Sequence, residues 1–348
     1  MKIAVYSIAK NEAKFAARFA GSCRDADVTV VLDTGSTDQT ADILAEHGVQ
    51  VHSETIAPWR FDAARNRALE LVPDDTDICV KLDLDECLVP GWRETLEAAW
   101  APGTTTQAWY TYTWSWKSPG VPNQQFLQNH CHARRGFTWR HRCHEALYYT
   151  GGAPREIKLP DLHVEHHSDP TKSRAGYLPL IEAEHRQEPS ARSRFYLGRE
   201  YYFSRRFPEA IALLQEYLGM SRYPAERGVA CWYLHMMTRD NQWAFRAVAE
   251  CPTRQTMLVA AQAALRQREY AAGLRWCQMA IHASRTFVFG EQAVDDPEIF
   301  ETAADCAWAA GQRAAAFGYL ERASQLAPRR ERIEKYVTWA KAGAGVGD

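Results

Sequence analysis

Ile78-Cys79-Val80-Lys81-Leu82-Asp83-Leu84-Asp85-Glu86 passes from an apolar, β-branched run straight into three acids, and its reading decides what kind of domain this is. The apolar part predicts a buried strand. Carboxylates two residues apart on an extended chain lie on the same side, so Asp83 and Asp85 can converge on one hard cation, which in turn would bridge a diphosphate. Alone, an Asp-x-Asp has low specificity and equally suits a solvated acidic loop. Its surroundings have to decide.

Toward the N-terminus, residues 3–8, 28–32 and 49–52 read as three more strands, separated by amphipathic stretches. In one of these, residues 40–47, Ala41, Leu44 and Ala45 share a face and Gly48 follows as a stop. Such alternation predicts a parallel α/β sheet with a ligand crevice at the carboxyl ends of its strands. Asp33, Asp83 and Asp85 each follow a strand directly. Toward the C-terminus, residues 104–149 turn aromatic and alternating, as in Trp109-Tyr110-Thr111-Tyr112-Thr113-Trp114, which predicts a second, mixed part of the sheet. After Pro170 the periodicity is helical, with paired antiparallel helices expected over 195–218, 257–283 and 297–327. Phe207-Pro208-Glu209-Ala210, Tyr270-Ala271-Ala272-Gly273 and Arg313-Ala314-Ala315-Ala316 each open a second helix, and Gly198 and Gly311 fill a small-residue position before two of them. These features resemble tetratricopeptide repeats, whose period is about 34 residues. The starts at 207, 270 and 313 are unevenly spaced, so a degenerate unit around Gln242-Trp243-Ala244 is expected, with a plain helical bundle as the alternative.

A chain of 348 residues suits two domains, and shares of 46% hydrophobic and 24% charged residues are those of a globular protein. A net charge of -2 gives no global attraction to nucleic acid or anionic membranes. The apolar start at Ile3 is too short for a secretory signal, and no run reaches the ~18 residues of a membrane span. Nine scattered cysteines predict reduced thiols and a cytoplasmic setting.

Four motifs follow one another: Ser7-Ile8-Ala9-Lys10-Asn11-Glu12 closes the first strand, and Leu32-Asp33-Thr34-Gly35-Ser36-Thr37-Asp38 the second. Then Phe61-Asp62-Ala63-Ala64-Arg65-Asn66-Arg67 opens a helix before the Asp-x-Asp strand. Here the chain resembles the family 2 glycosyltransferases, whose fold is the glycosyltransferase A-type, Rossmann-like α/β sheet. With the helical half behind, it is similar to the subgroup that includes peptide S-glycosyltransferases. The expected division is a catalytic domain over 1–170, a tetratricopeptide-like domain over 171–340 and a flexible tail over 341–348.

The resemblance implies an inverting transfer from a UDP-sugar such as UDP-glucose, with Mn2+ or Mg2+ held by Asp83 and Asp85. It places Asn11, Glu12, Asp33, Arg65 and Asp83 around the donor, Asp33 accepting from the uracil imide and Arg65 facing ribose or diphosphate. Asp33 has a plainer reading as an Asx-turn or helix cap, and Arg65 as a surface ion pair. For the general base, the resemblance points to Glu145 in His144-Glu145, with Asp161 as runner-up. It also returns a late histidine to the metal, His166 first and His163 second, after the sheet has ended. Because helical-repeat concavities bind polypeptides, a protein or peptide acceptor is favoured over a glycan or a hydroxymethylated DNA base. The DNA reading rests on arginine clusters at 134–142 and 172–206.

Three rival readings use other features. His130, Cys131, His132, His141, Cys143 and His144 are dense enough for zinc, but the spacing fits no familiar finger. A nucleotidyltransferase needs a Gly-rich triphosphate loop, and residues 7–12 contain no glycine. A non-catalytic repeat scaffold would not require the retained acids.

Overall fold

The computed structural model describes residues 1–171, 176–283 and 296–344. They form two compact units, Met1–Gln187 and Glu188–Asp348.

The first unit runs β1 (Ile3–Ala9), α1 (Ala13–Ser22), β2 (Val28–Asp33), α2 (Thr40–Glu46), β3 (Gln50–Ser53), α3 (Phe61–Glu70), β4 (Ile78–Lys81), β5 (Glu86–Leu88) and α4 (Trp92–Ala99). Then follow β6 (Gln107–Ser118), β7 (Val121–Ala133), β8 (Phe137–Arg140), β9 (Ala146–Tyr149), β10 (Glu156–His166) and α5 (Tyr177–Gln187). Eight strands make one mixed sheet in the order β3-β2-β1-β4-β7-β6-β10-β5, while β8 and β9 pair separately. The first four are parallel, β7 is antiparallel to both β4 and β6, β10 is parallel to β6, and β5 is antiparallel to β10.

Both faces of the central strands are covered, which is why they read as continuous apolar runs rather than alternating ones. Phe15 and Phe19 of α1 and Trp92 and Leu96 of α4 pack with Val5, Val31 and Val80 on one face. On the other, Ala68 and Leu69 of α3 and Trp139 pack with Tyr6, Val30 and Leu32. The parallel order reverses at β1, which has β2 on one side and β4 on the other, so the loops after β1, β2 and β4 border a common crevice.

Two expectations change. Residues 162–166 do not follow the sheet: they are the last part of β10, and the register with β6 jumps from Leu159↔Tyr110 to His163↔Thr111. Pro160, with no N–H to give to a ladder, sits in that bulge. The first unit also reaches Gln187 rather than 170, because Glu184 of α5 accepts from the Arg142 backbone N–H (2.8 Å) and pairs with His141 (2.9 Å).

Among the described residues the second unit is helical throughout: α6 (Ala191–Phe203), α7 (Phe207–Met220), α8 (Pro224–Thr238), α9 (Asn241–Glu250), α10 (Arg254–Arg266), α11 (Tyr270–His282), α12 (Asp296–Ala309), α13 (Arg313–Leu326) and α14 (Arg330–Ala344). Capping boxes at Ser190 and Thr253 start α6 and α10. Helices pack as α6 with α7, α8 with α9, α10 with α11 and α12 with α13, so the degenerate unit is the α8–α9 pair. At Gly198 a Cβ would come 2.9 Å from Leu214 Cγ, which is why that position is small. The expected tail begins inside α14, which continues to Ala344; residues 345–348, like Lys172 and Arg174 of the basic cluster, lie outside the described residues. No described helix is long and apolar enough to cross a membrane.

Candidate active site

The Asp-x-Asp occupies the turn between β4 and β5, and ion pairs both local and distant in sequence surround it. Lys81 Nζ lies 2.6 Å from Asp83 Oδ2 and 3.5 Å from Glu86 Oε2. On the other side Arg65 Nη1 lies 2.8 Å from Asp83 Oδ1, while Arg65 Nε donates to Glu145 Oε1 at 2.6 Å. Arg65 Nη1 is buried and, though at ion-pair distance, makes no aligned hydrogen bond. Glu86 fixes the turn: Oε2 accepts from Asp83 N at 2.8 Å and Oε1 from Tyr112 Oη at 2.6 Å. Burial would raise the Asp83 carboxyl, but Arg65 and Lys81 hold it well below the usual carboxylate range. Burial pushes Glu86 upward against the pull of Lys81. Arg65, opposed by burial but flanked by Asp83 and Glu145, is held protonated more firmly than a free guanidinium.

Asp85 faces the other way, to the end of β10. His166 Nδ1 donates to the Trp114 carbonyl at 2.9 Å, which fixes the tautomer and presents Nε2 to Asp85 Oδ2 at 3.5 Å. The Trp114 ring, itself 45% exposed, stacks on the imidazole with centroids 4.4 Å apart. Burial pulls the His166 pKa down, but the bond and charge of Asp85 and the Trp114 carbonyl carry it above its ordinary value. His167 N donates to the Asp85 carbonyl at 2.7 Å, tying the turn to β10. His163, three residues earlier on the strand, faces the opposite side and contacts Thr113 Oγ1 at 2.6 Å. Their odd spacing on a regular stretch of β10 thus separates the two histidines expected to be alternatives.

Among the described residues no three His, Cys, Asp or Glu side chains are grouped to hold a metal ion, which also leaves the zinc reading without a site. Of the four expected ligands, Asp85 and His166 face each other, Asp83 is taken up by Lys81 and Arg65, and His163 by Thr113. Carboxylate oxygen plus a neutral imidazole nitrogen suits a divalent cation such as Mn2+. Asp85 and His166 are the two donors of the chain that would fit such an ion.

At the other end of the crevice the contacts are local. Asp33 is buried, and its Oδ1 accepts from Gly35 N at 3.0 Å and Ser36 N at 2.8 Å, the Asx-type turn that was its plainer reading. Asn11, at φ 55°, donates its backbone N–H to Ser36 Oγ (2.9 Å) and accepts from Thr37 N (2.8 Å), while Glu12 N donates to Thr40 Oγ1 (2.7 Å). These bonds lace the loops after β1 and β2 together. Arg67 pairs with Glu54 and Glu70 at the surface, away from this group. Asp161 is exposed in the β10 bulge, roughly 16 Å of strand before His166.

Sequence reading missed the residues that brace the site. Lys81, Glu86 and Tyr112 hold the Asp83 turn. Beneath Arg65, whose guanidinium carbon lies 5.6 Å from the Trp139 ring, runs a satisfied buried chain. Trp139 Nε1 donates to Tyr6 Oη and Tyr6 Oη to His132 Nε2, each at 2.9 Å, while His132 Nδ1 donates to the Ala133 carbonyl at 2.8 Å. Burial brings the His132 pKa down to about 4, so its neutral, accepting form is the one present. Asn66 clamps β8 through both backbone groups of Trp139. The arginines that suggested nucleic acid are largely engaged: Arg134 donates to the Val72 carbonyl and to Asp74, Arg140 stacks on Tyr148, and Arg142 bonds Gln187. In the second unit Arg194, Arg199 and Arg206 pair with Glu216, Glu200 and Glu209.

No family model and no curated protein matches this chain. Among solved structures it is similar to glucosyl-3-phosphoglycerate synthase from Mycobacterium tuberculosis in complex with Mn2+, UDP-glucose and glycerol 3-phosphate, at 25% identity over 32% of this chain and 44% of the synthase, with a TM-score of 0.27. The chain thus spans less than half of that protein. It is also similar to Pseudomonas aeruginosa pilF, at 15% identity over 46% of this chain and 72% of pilF, with a TM-score of 0.39. Scores this low carry no argument about activity.

Proposed function

We propose that the first unit is a glycosyltransferase A-type domain that moves a sugar from a UDP-sugar, with inversion, onto an acceptor hydroxyl or thiol. The observation that carries this reading is Arg65, whose single guanidinium joins Glu145, eighty residues away in sequence, to Asp83 of the turn. A candidate base and a candidate diphosphate site are thereby set side by side at the mouth of a parallel sheet.

In this reading Asn11, Glu12 and Asp33 border the nucleoside end of the donor and Asp83 the diphosphate end. Asp85 and His166 would hold Mn2+ or Mg2+, whose contribution is to neutralise the charge that builds on the departing diphosphate. Glu145 is held through Oε1 by Arg65, which leaves Oε2 for the acceptor proton. As the acceptor atom attacks the anomeric carbon from the face opposite the diphosphate, its proton passes to Glu145. The carbon–oxygen bond to UDP breaks with its electron pair on the leaving oxygen. Tyr112 and Glu86 keep the Asp83 turn in place throughout. A protein or peptide acceptor bound along the helix pairs comes first, a glycan second and a hydroxymethylated DNA base third, since the arginines supporting DNA are mostly committed within the fold. A cytoplasmic setting belongs to the same proposal.

The test is to incubate the chain with a panel of nucleotide-sugars, UDP-glucose included, and Mn2+ without acceptor, and to follow nucleoside diphosphate release. Slow, metal-dependent release from one UDP-sugar, abolished by Asp85→Ala, is expected. Full metal-dependent UDP binding in Asp85→Ala would remove the donor site from this turn, and no nucleotide-sugar binding at all would return the chain to a repeat scaffold.

A further inference from the structure

We infer that Lys81 and Arg65 are resident counter-ions of Asp83 that a divalent cation has to displace before Asp83 can join Asp85 and His166, so that Lys81 sets how tightly the site takes a divalent metal. The inference rests on the donor-site reading above, but concerns a residue which that reading gives no role.

Several features of the geometry support it. Asp83 is the one member of the Asp-x-Asp not turned toward His166, and both its oxygens are occupied, Oδ2 by Lys81 at 2.6 Å and Oδ1 by Arg65 at 2.8 Å. Each cation also has a second acid in hand: Lys81 has Glu86 at 3.5 Å, and Arg65 has Glu145 at 2.6 Å. Release of Asp83 therefore strands no buried charge, which is the step that otherwise makes breaking a buried pair so unfavourable. Lys81 makes a short, aligned bond to Asp83, while the Arg65 guanidinium stands at ion-pair distance from its other oxygen. Lys81 therefore competes directly with an incoming cation for Asp83 Oδ2. Its ammonium is almost wholly buried at 4% exposure, so water does not screen its repulsion of an incoming cation.

Mn2+ binding to the full chain, read from the electron paramagnetic resonance signal of the free ion, tests this without any turnover. Relative to wild type, Lys81→Met and the polar Lys81→Gln are expected to bind Mn2+ about tenfold more tightly or better, and a further Asp85→Asn should abolish binding in either. An unchanged or weaker affinity in a variant that melts cooperatively overturns the inference while leaving the metal site intact. If neither wild type nor the Lys81 variants bind Mn2+, the donor-site reading itself has failed. Should both Lys81 variants fail to fold, the wild type still decides: the Arg65 Nε–H resonance must shift on saturation with diamagnetic Mg2+, and a resonance that stays put overturns the inference.

Discussion

Asp33 and Asp83 stand at comparable places, one the last residue of β2 and the other two residues beyond the end of β4, yet they are held in opposite ways. Asp33 accepts from backbone N–H groups two and three residues further on, within its own turn. Asp83 is gripped by the side chains of Lys81, on its own strand, and Arg65, from a helix much earlier in the chain. The first arrangement shapes a loop and would survive in a short peptide. The second exists only once α3, β4 and the segment bearing Glu145 have come together, and it stores opposed charges at a spot where a charged ligand can exchange with them. Strand-end acids are common; what distinguishes a site is whether the partners are dipoles or ions.

The largest expected effect tests the ionic half. Glu145→Gln should lower the transfer rate by about 10²–10⁴-fold with nucleotide binding retained, whereas Asp161→Asn, out in the bulge, should change it little; the opposite outcome in steady-state assays reassigns the base. Next, Arg65→Met strips the cation shared by two acids and should cost about 3–5 kcal/mol of stability in denaturant melts. The acid limb should move with it. Because Asp83 is held below its ordinary value, its contribution is complete above the unfolded-state pKa of ~3.9 and is lost only as pH falls through the lowered one. The variant should therefore unfold at a higher pH than wild type. A loss no larger than that of Asp33→Ala, about 1 kcal/mol for a local cap, would erase the contrast between the two aspartates.

Smaller still, Asp33→Asn keeps an oxygen for Gly35 and Ser36 and should leave stability within about 0.5 kcal/mol of wild type while weakening UDP binding, as titration calorimetry would report. Unchanged UDP affinity would make Asp33 a loop residue only. Last, His166 titrates above its ordinary value because Asp85 lies beside it, so Asp85→Asn should lower its pKa by ring-proton NMR. The sign carries over to stability: the His166 contribution is whole below the unfolded-state value of ~6.5 and fades as pH rises through the raised one, and the variant should lose that pH dependence.

Much of this frame was legible because it is locally encoded. The strand runs that become β2 and β4, the helix that begins at Phe61 and the paired helices after Ser190 all follow from periodicity and caps a few residues long. Glu145 and Arg65 were each legible as candidates, but not as partners, since no pattern within 80 residues of separation announces a shared ion pair. Lys81 was read as part of the strand and given no role. Strand alternation, which puts it on the same side as Asp83, was the available signal. Glu86 was read as the tail of the acidic motif, although a third acid behind a tight turn is well placed to accept that turn's own N–H. The end of β10 was misplaced because Pro160 breaks the alternation that marks a strand.

That break has a consequence of its own. The kinked stretch Pro160-Asp161-Leu162 works as a spacer whose length sets the phase of everything downstream. Add one residue to it and Glu165 rather than His166 swings toward Asp85, with Val164 pushed out of the interior. The imidazole is delivered to its partner by a count of residues more than by their identity, so an insertion there should silence the protein as thoroughly as a change to any acid.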